Sequence, residues 1–92
     1  MKLEIEVPDY SVEQGVMRTW DEGSRIAVVS YGTEVVIRAN SAGLITLARH
    51  CLILAQHSVP EGFHFHYEVS SDHLETGSVG LVIERDDFQS AE

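Results

Sequence analysis

The chain has 92 residues, 43% of them apolar, which suits one folded domain with a single core and leaves no room for a second. Fifteen Asp and Glu against six Lys and Arg set the net charge at −9, and protonating all five His would still leave −4. Such a surface repels nucleic acid and anionic membrane, so neither is expected as a partner; it favours a basic protein, or simply keeps the chain soluble.

From the N-terminus, Lys2 to Val7 alternates, with Leu3, Ile5 and Val7 on one side and Lys2, Glu4 and Glu6 on the other. That spacing predicts a half-buried strand ended by Pro8. Val16 to Trp20 is expected to add a second, short strand before a turn at Asp21-Glu22-Gly23-Ser24. Arg25 to Tyr31 and Glu34 to Ala39 are rich in Val and Ile around Gly32-Thr33, the pattern of an antiparallel hairpin.

Asn40-Ser41 is a helix start signal. Behind it Leu44, Leu47, Ala48, Cys51, Leu52 and Ala55 recur at helical spacing and are expected to face the core. Thr46, Arg49, His50, Gln56 and His57 fall on the opposite arc, with Ile53 in the middle of it. Pro60 and Gly62 close the segment. Phe63, Phe65, Tyr67 and Val69 then alternate with His64, His66, Glu68 and Ser70, a strand with an aromatic inner face. After a turn rich in Ser, Asp and Gly, Val79, Leu81 and Ile83 form the last strand.

The sum is an α+β fold in one domain over residues 1–92: a four- to five-stranded antiparallel sheet with one long helix packed on one face. A single helix covers one face only. The other, carrying Glu4, Glu6, Arg38, His64, His66, Glu68 and Glu84, is expected to be open to water or a partner.

The charge is unevenly placed. Residues 35–60 contain no Asp or Glu, whereas residues 61–92 contain eight acids and Arg85 alone. An acidic partner surface is therefore expected mainly from the C-terminal strands, with His64, His66, Glu68, Asp72, Glu75 and Glu84 as its candidates. Ile53, an apolar residue on the polar arc, is a further candidate for packing on a partner or on a second copy, as in a homodimer. Trp20 reads equally as a lid on the core or an interface anchor.

His64, His66 and Glu68 lie on one side of a strand and form a weak candidate for a metal site, since a converging third or fourth ligand is not evident. The two imidazoles could also act as acid and base on a phosphodiester, but only Arg85 is at hand to hold a phosphate. No nucleophile-elbow motif, phosphate-cradling glycine loop or C-x-x-C is present, so neither catalysis nor a cofactor is expected. The single cysteine, Cys51, excludes a disulfide within the chain and is expected to be buried and inert. With no apolar signal core and no run near the roughly 18 apolar residues of a membrane span, the expected compartment is the cytoplasm.

Several stretches carry a family likeness. Asn40-Ser41-Ala42-Gly43-Leu44 runs into Leu47-Ala48-Arg49-His50 and Leu54-Ala55-Gln56. Val59-Pro60-Glu61-Gly62, His64-Phe65-His66, Leu74-Glu75-Thr76-Gly77-Ser78 and Leu81-Val82-Ile83-Glu84 follow. In order and spacing this resembles the bacterial immunity protein family 32 of polymorphic toxin systems, over roughly residues 34–85. The resemblance implies a small cytosolic protein that binds and blocks a toxin domain made beside it, and carries over no residue roles. A basic toxin domain would suit the acidic surface.

Overall fold

The computed structural model describes residues 1–89. Four strands and one helix follow in the order β1 (Ile26–Tyr31), β2 (Glu34–Ala39), α1 (Ser41–Leu54), β3 (His64–Tyr67) and β4 (Leu81–Glu84), with a single 3-10 turn at Val69–Ser71 between the last two. The chain is α+β, but its strands form two separate antiparallel pairs, β1-β2 and β3-β4, and not one sheet of four or five.

The β1-β2 hairpin forms where its Val and Ile content places it, in a register from Ile26 opposite Ala39 to Tyr31 opposite Glu34 around Gly32-Thr33. Gly32 takes a positive φ of 58°, which the tight turn requires and a Cβ would resist. The β3-β4 pair runs from His64 opposite Glu84 to Tyr67 opposite Leu81. Two further backbone bonds, Gly62 N–H to the Arg85 carbonyl and Arg85 N–H to the Phe63 carbonyl, extend it by a step.

The expected sheet stops short because the segment between the pairs does not run as a strand. Glu75 N–H donates to the Ile26 carbonyl and Val79 N–H to the Val28 carbonyl, so residues 75–79 touch the free edge of β1 at two points. Between those points the chain turns, with Ser78 N–H bonded to the Glu75 carbonyl and Gly77 at φ 91°. The turn consumes the groups that a continuous ladder would need.

Neither N-terminal strand forms. Residues 1–24 make an irregular strap whose only ladder-like contact among the described residues is an isolated bridge between Ser11 and Gly15. Leu3 is exposed, while Val7, Tyr10, Val16 and Trp20 pack against the core from outside. The expected turn does form, through Ser24 N–H and the Asp21 carbonyl.

Asn40 starts α1 as its residue type predicts. Its Oδ1 accepts from Gly43 N–H at 2.8 Å and from Arg25 N–H at 3.0 Å, and its Nδ2 donates to the Gly23 carbonyl. One side chain thus ties the helix start to the start of β1. Gly43 permits the close approach: a Cβ there would lie 2.6 Å from the Arg25 carbonyl oxygen. At the other end Arg85 donates to the carbonyl of Leu54, one of the acceptors that a helix leaves open at its C-terminus, and to that of Gln56 just beyond the helix.

The helix is turned relative to its apolar pattern. Gly43, Thr46, Leu47, His50, Ile53 and Leu54 face inward and are buried, while Leu44, Ala48, Cys51, Leu52 and Ala55 are exposed. Ile53 is fully buried and belongs to the core with Ile26, Val28, Leu47, Leu54, Val59, Phe65, Tyr67 and Leu74, so it is no surface contact. Cys51 is exposed and not the buried thiol expected.

The strap gives the physical reason. Its backbone lacks a ladder, and buried backbone groups need partners. The polar arc of α1 supplies them. Thr46 Oγ1 accepts from Asp21 N–H, Arg49 Nε donates to the Glu6 carbonyl, and His50 Nε2 donates to the Thr19 carbonyl. Gln56 donates to the Pro8 carbonyl and accepts from Tyr10 N–H. Arg49 also forms an ion pair with Asp21.

Candidate functional site

Period-two alternation puts Phe65 and Tyr67 of β3 into the core and His64 and His66 out into solvent, as the sequence predicts. The two imidazoles meet edge to face with centroids 4.9 Å apart. Cross-strand pairing sets Glu84 opposite His64 and Val82 opposite His66. Glu84 Oε1 lies 3.9 Å from His64 Nδ1, within ion-pair reach of a protonated ring. The nearer partner of that nitrogen is the Gly62 carbonyl at 2.8 Å, which can only accept, so Nδ1 carries the proton.

The other candidates separate. Glu68 lies past the end of β3, with its carboxylate 3.4 Å from the Ser70 hydroxyl. Asp72 is in the left-handed region (φ 61°) at the end of the 3-10 turn. Glu75 sits beside β1, paired with Arg25 at 2.7 Å. His64, His66 and Glu84 therefore form one patch, Glu68 and Asp72 a second near His73, and Glu75 a third. Among the described residues no group of three or more His, Cys, Asp or Glu is placed to hold a metal ion, and Glu68 does not converge with the two histidines.

The C-terminal end of β4 adds an acidic rim. Glu61, Glu84, Asp86 and Asp87 are all exposed, and the bond from Gly62 N–H to the Arg85 carbonyl holds the two chain segments together there. Arg85 points the other way, to the helix carbonyls, and its Nε meets Asp87 at 2.8 Å. The one base of this region is thus turned inward, and most of the rim's negative charge stands unopposed. The sequence showed the local excess of acid; the inward turn of Arg85 it did not show.

A second assembly lies behind β3. Tyr67 and His50 are each 0% exposed. His50 Nε2 donates to the Thr19 carbonyl at 2.8 Å, which leaves Nδ1 to accept the Tyr67 hydroxyl at 2.9 Å. Trp20 meets His50 edge-on, 4.9 Å between centroids, and stacks on His73 at 4.8 Å. Arg18 spreads its guanidinium over Phe65 and Tyr67, 4.7 and 5.1 Å from the ring centres, and donates to the His66 carbonyl. Trp20 is therefore a lid on the core.

Burial sets the titration of this assembly. It pushes the Tyr67 hydroxyl up to about 12, against the opposing effect of Arg18. Desolvation holds His50 below the ordinary histidine value, and Arg18, Arg49 and His73 add to this. His73 is lowered by the same cause first and by Arg18 second. A neutral imidazole locked between a carbonyl and a hydroxyl, away from solvent, holds the strap to the core. Sequence reading placed His50 on the solvent arc; its 17-residue separation from Tyr67 offers no local signal.

No curated protein and no solved structure matches the chain significantly. The family model described as immunity protein 32 does match, over residues 34–86, which take in β2, α1, β3 and β4 and more than half of the chain. The 24-residue strap and β1 lie outside the matched span. The chain belongs to the immunity protein 32 family.

Proposed function

We propose that this protein binds and neutralises a cognate bacterial toxin domain in the cytoplasm, and that the acidic rim at the end of the β3-β4 pair receives a basic surface of that toxin. Membership of an immunity-protein family supports a protein partner. The observation that carries the finer reading is the rim itself: Glu61, Glu84 and Asp86 exposed beside Asp87, with Arg85 turned inward onto the helix and paired with Asp87 alone among these acids. Uncompensated carboxylates on one side of a small domain steer a basic partner and fix its orientation. His64 and His66 border the rim and offer contacts of either hydrogen-bonding role. A lone exposed thiol, Cys51, fits a reducing compartment.

Association kinetics with the toxin domain encoded beside this protein test the reading. Raising salt from about 50 to 300 mM, a range over which the screening length shortens to below about 8 Å, should slow association about tenfold or more. Glu84→Lys with Asp86→Lys should slow it at low salt and flatten the salt dependence. Rates indifferent to both salt and charge reversal would remove the rim from the interface.

A further inference from the structure

Among the described residues β2 pairs with β1 alone, so its other edge is bare. The carbonyls of Ile26 and Val28 point out of the hairpin, where Glu75 and Val79 bond them. Their cross-strand neighbours Ala39 and Ile37 therefore point their main-chain groups out of the opposite edge, and by the same period of two so does Val35. That edge offers the N–H and C=O of Val35 and Ile37 to an incoming strand. Both side chains are apolar and exposed, by 62% and 43%. Glu34 and Arg38 flank them on the other face of the strand, also exposed. Among the described residues neither forms an ion pair, and Arg38 donates to the Tyr31 hydroxyl at 3.0 Å.

We propose that two copies of the chain join edge to edge through β2, antiparallel about a two-fold axis at Val36, so that both hairpins make one sheet. The strand's own order of residues selects the occupant. Glu34-Val35-Val36-Ile37-Arg38 is complementary to itself when reversed: Val36 faces Val36, Val35 faces Ile37, and Glu34 of each copy faces Arg38 of the other. Val35 and Ile37 then exchange both main-chain bonds across the axis. Glu34 and Arg38 take the closer, non-hydrogen-bonded pairs, where opposite charges attract and like charges repel. A slip by one residue sets outward main-chain groups against inward ones, and a slip by two parts Glu34 from Arg38.

At −9 per copy most of the surface repels its own kind, but this segment carries one acid and one base and adds no net charge. A basic partner gains nothing from such a balanced edge, whereas a second copy gains the same ion pair twice. The acidic rim belongs to the β3-β4 pair, a separate sheet, so the contact neither needs a toxin nor uses the site proposed for one. A five-residue strand spans only about 17 Å, so main-chain bonds and charge pairs carry the contact more than area does. The dimer is therefore weak, with a dissociation constant of about 10 μM to 1 mM.

Sedimentation equilibrium of the chain alone, at about 150 mM salt where a screening length of about 8 Å damps the net charge, tests this. The average mass should rise from 10.2 kDa toward twice that value as the concentration approaches about 1 mM. Glu34→Arg alone sets Arg against Arg at both pairs, and Arg38→Glu alone sets Glu against Glu. Each should weaken association about tenfold or more with an unchanged far-ultraviolet signal. Mixed one to one, the two variants meet Arg to Glu at both pairs and should associate as the wild type does. A wild-type mass that stays at 10.2 kDa at about 1 mM overturns the proposal. So does undiminished self-association of either variant, or failure of the two folded variants to associate when mixed.

Discussion

The hydroxyl of Tyr67 lies 2.9 Å from Nδ1 of His50, and its direction is fixed by the carbonyl of Thr19 on the far side of the ring. Because that carbonyl can only accept, the proton sits on Nε2; burial disfavours a second proton on the ring, so Nδ1 accepts and Tyr67 donates. β3, α1 and the strap are joined through one imidazole. Tyr67→Phe removes the hydroxyl and leaves Nδ1 buried without a donor. The expected cost is about 1–3 kcal/mol, read from urea unfolding, with the secondary structure retained.

Stability should fall as the solution is acidified through the histidine range. His50 and His73 both have folded-state pKa values below the ordinary value, so the unfolded chain takes up protons first as pH falls. Their contribution is fully present above about pH 6.5 and diminishes as pH drops below it toward the lowered folded values. Melting temperatures measured between pH 7.5 and 5.5 should decline, and His50→Gln, which cannot titrate, should show a shallower decline. A flat wild-type profile would contradict the neutral, buried assignment.

The strap should be released by a single change in α1. Arg49 donates to the Glu6 carbonyl and pairs with Asp21, and both charged side chains are mostly covered. Arg49→Ala should cost roughly 2 kcal/mol and open residues 1–24 to protease and to hydrogen exchange, leaving β3 and β4 protected. Uniform exchange across the whole chain would show that the strap is not a separate unit.

Gly43→Ala should destabilise, against the helix propensity of alanine. Alanine favours a helix interior by about 1 kcal/mol over glycine. Here its Cβ would meet the Arg25 carbonyl 2.6 Å away, a backbone atom that moves only if β1 moves. A net loss of more than about 1 kcal/mol is expected, whereas Ala48→Gly on the outer face should lose only the propensity difference of about 1 kcal/mol.

The local pattern carried some of this fold and misled on other parts. Gly32-Thr33 between Val- and Ile-rich runs, the cap at Asn40, and the alternation of Phe65 and Tyr67 with His64 and His66 are decided by neighbours in sequence, and the structure follows them. Lys2 to Val7 alternates equally well yet forms no strand, because alternation does not supply a partner edge. The orientation of α1 could not be read from its own residues. Its most apolar stripe lost the core to a side whose Thr46, Arg49, His50 and Gln56 bond the strap, a demand set some 25 to 48 residues away. Separations of 17 and 31 residues hid Tyr67 and Thr19 from His50, and the same turn of the helix made Ile53 look like an exposed residue when it is central to the core. For the acidic rim, the excess of acid was visible in composition, whereas the inward turn of Arg85 depends on the end of α1.

The proposed neutralisation of a toxin domain has a decisive readout in the growth of cells expressing that domain. Cells producing the proposed cognate toxin domain should stop growing alone and recover when the wild-type chain is supplied in the cytoplasm, with Glu84→Lys plus Asp86→Lys rescuing poorly at equal abundance. Failure of the wild-type chain to restore growth, with both proteins present and folded, would contradict it.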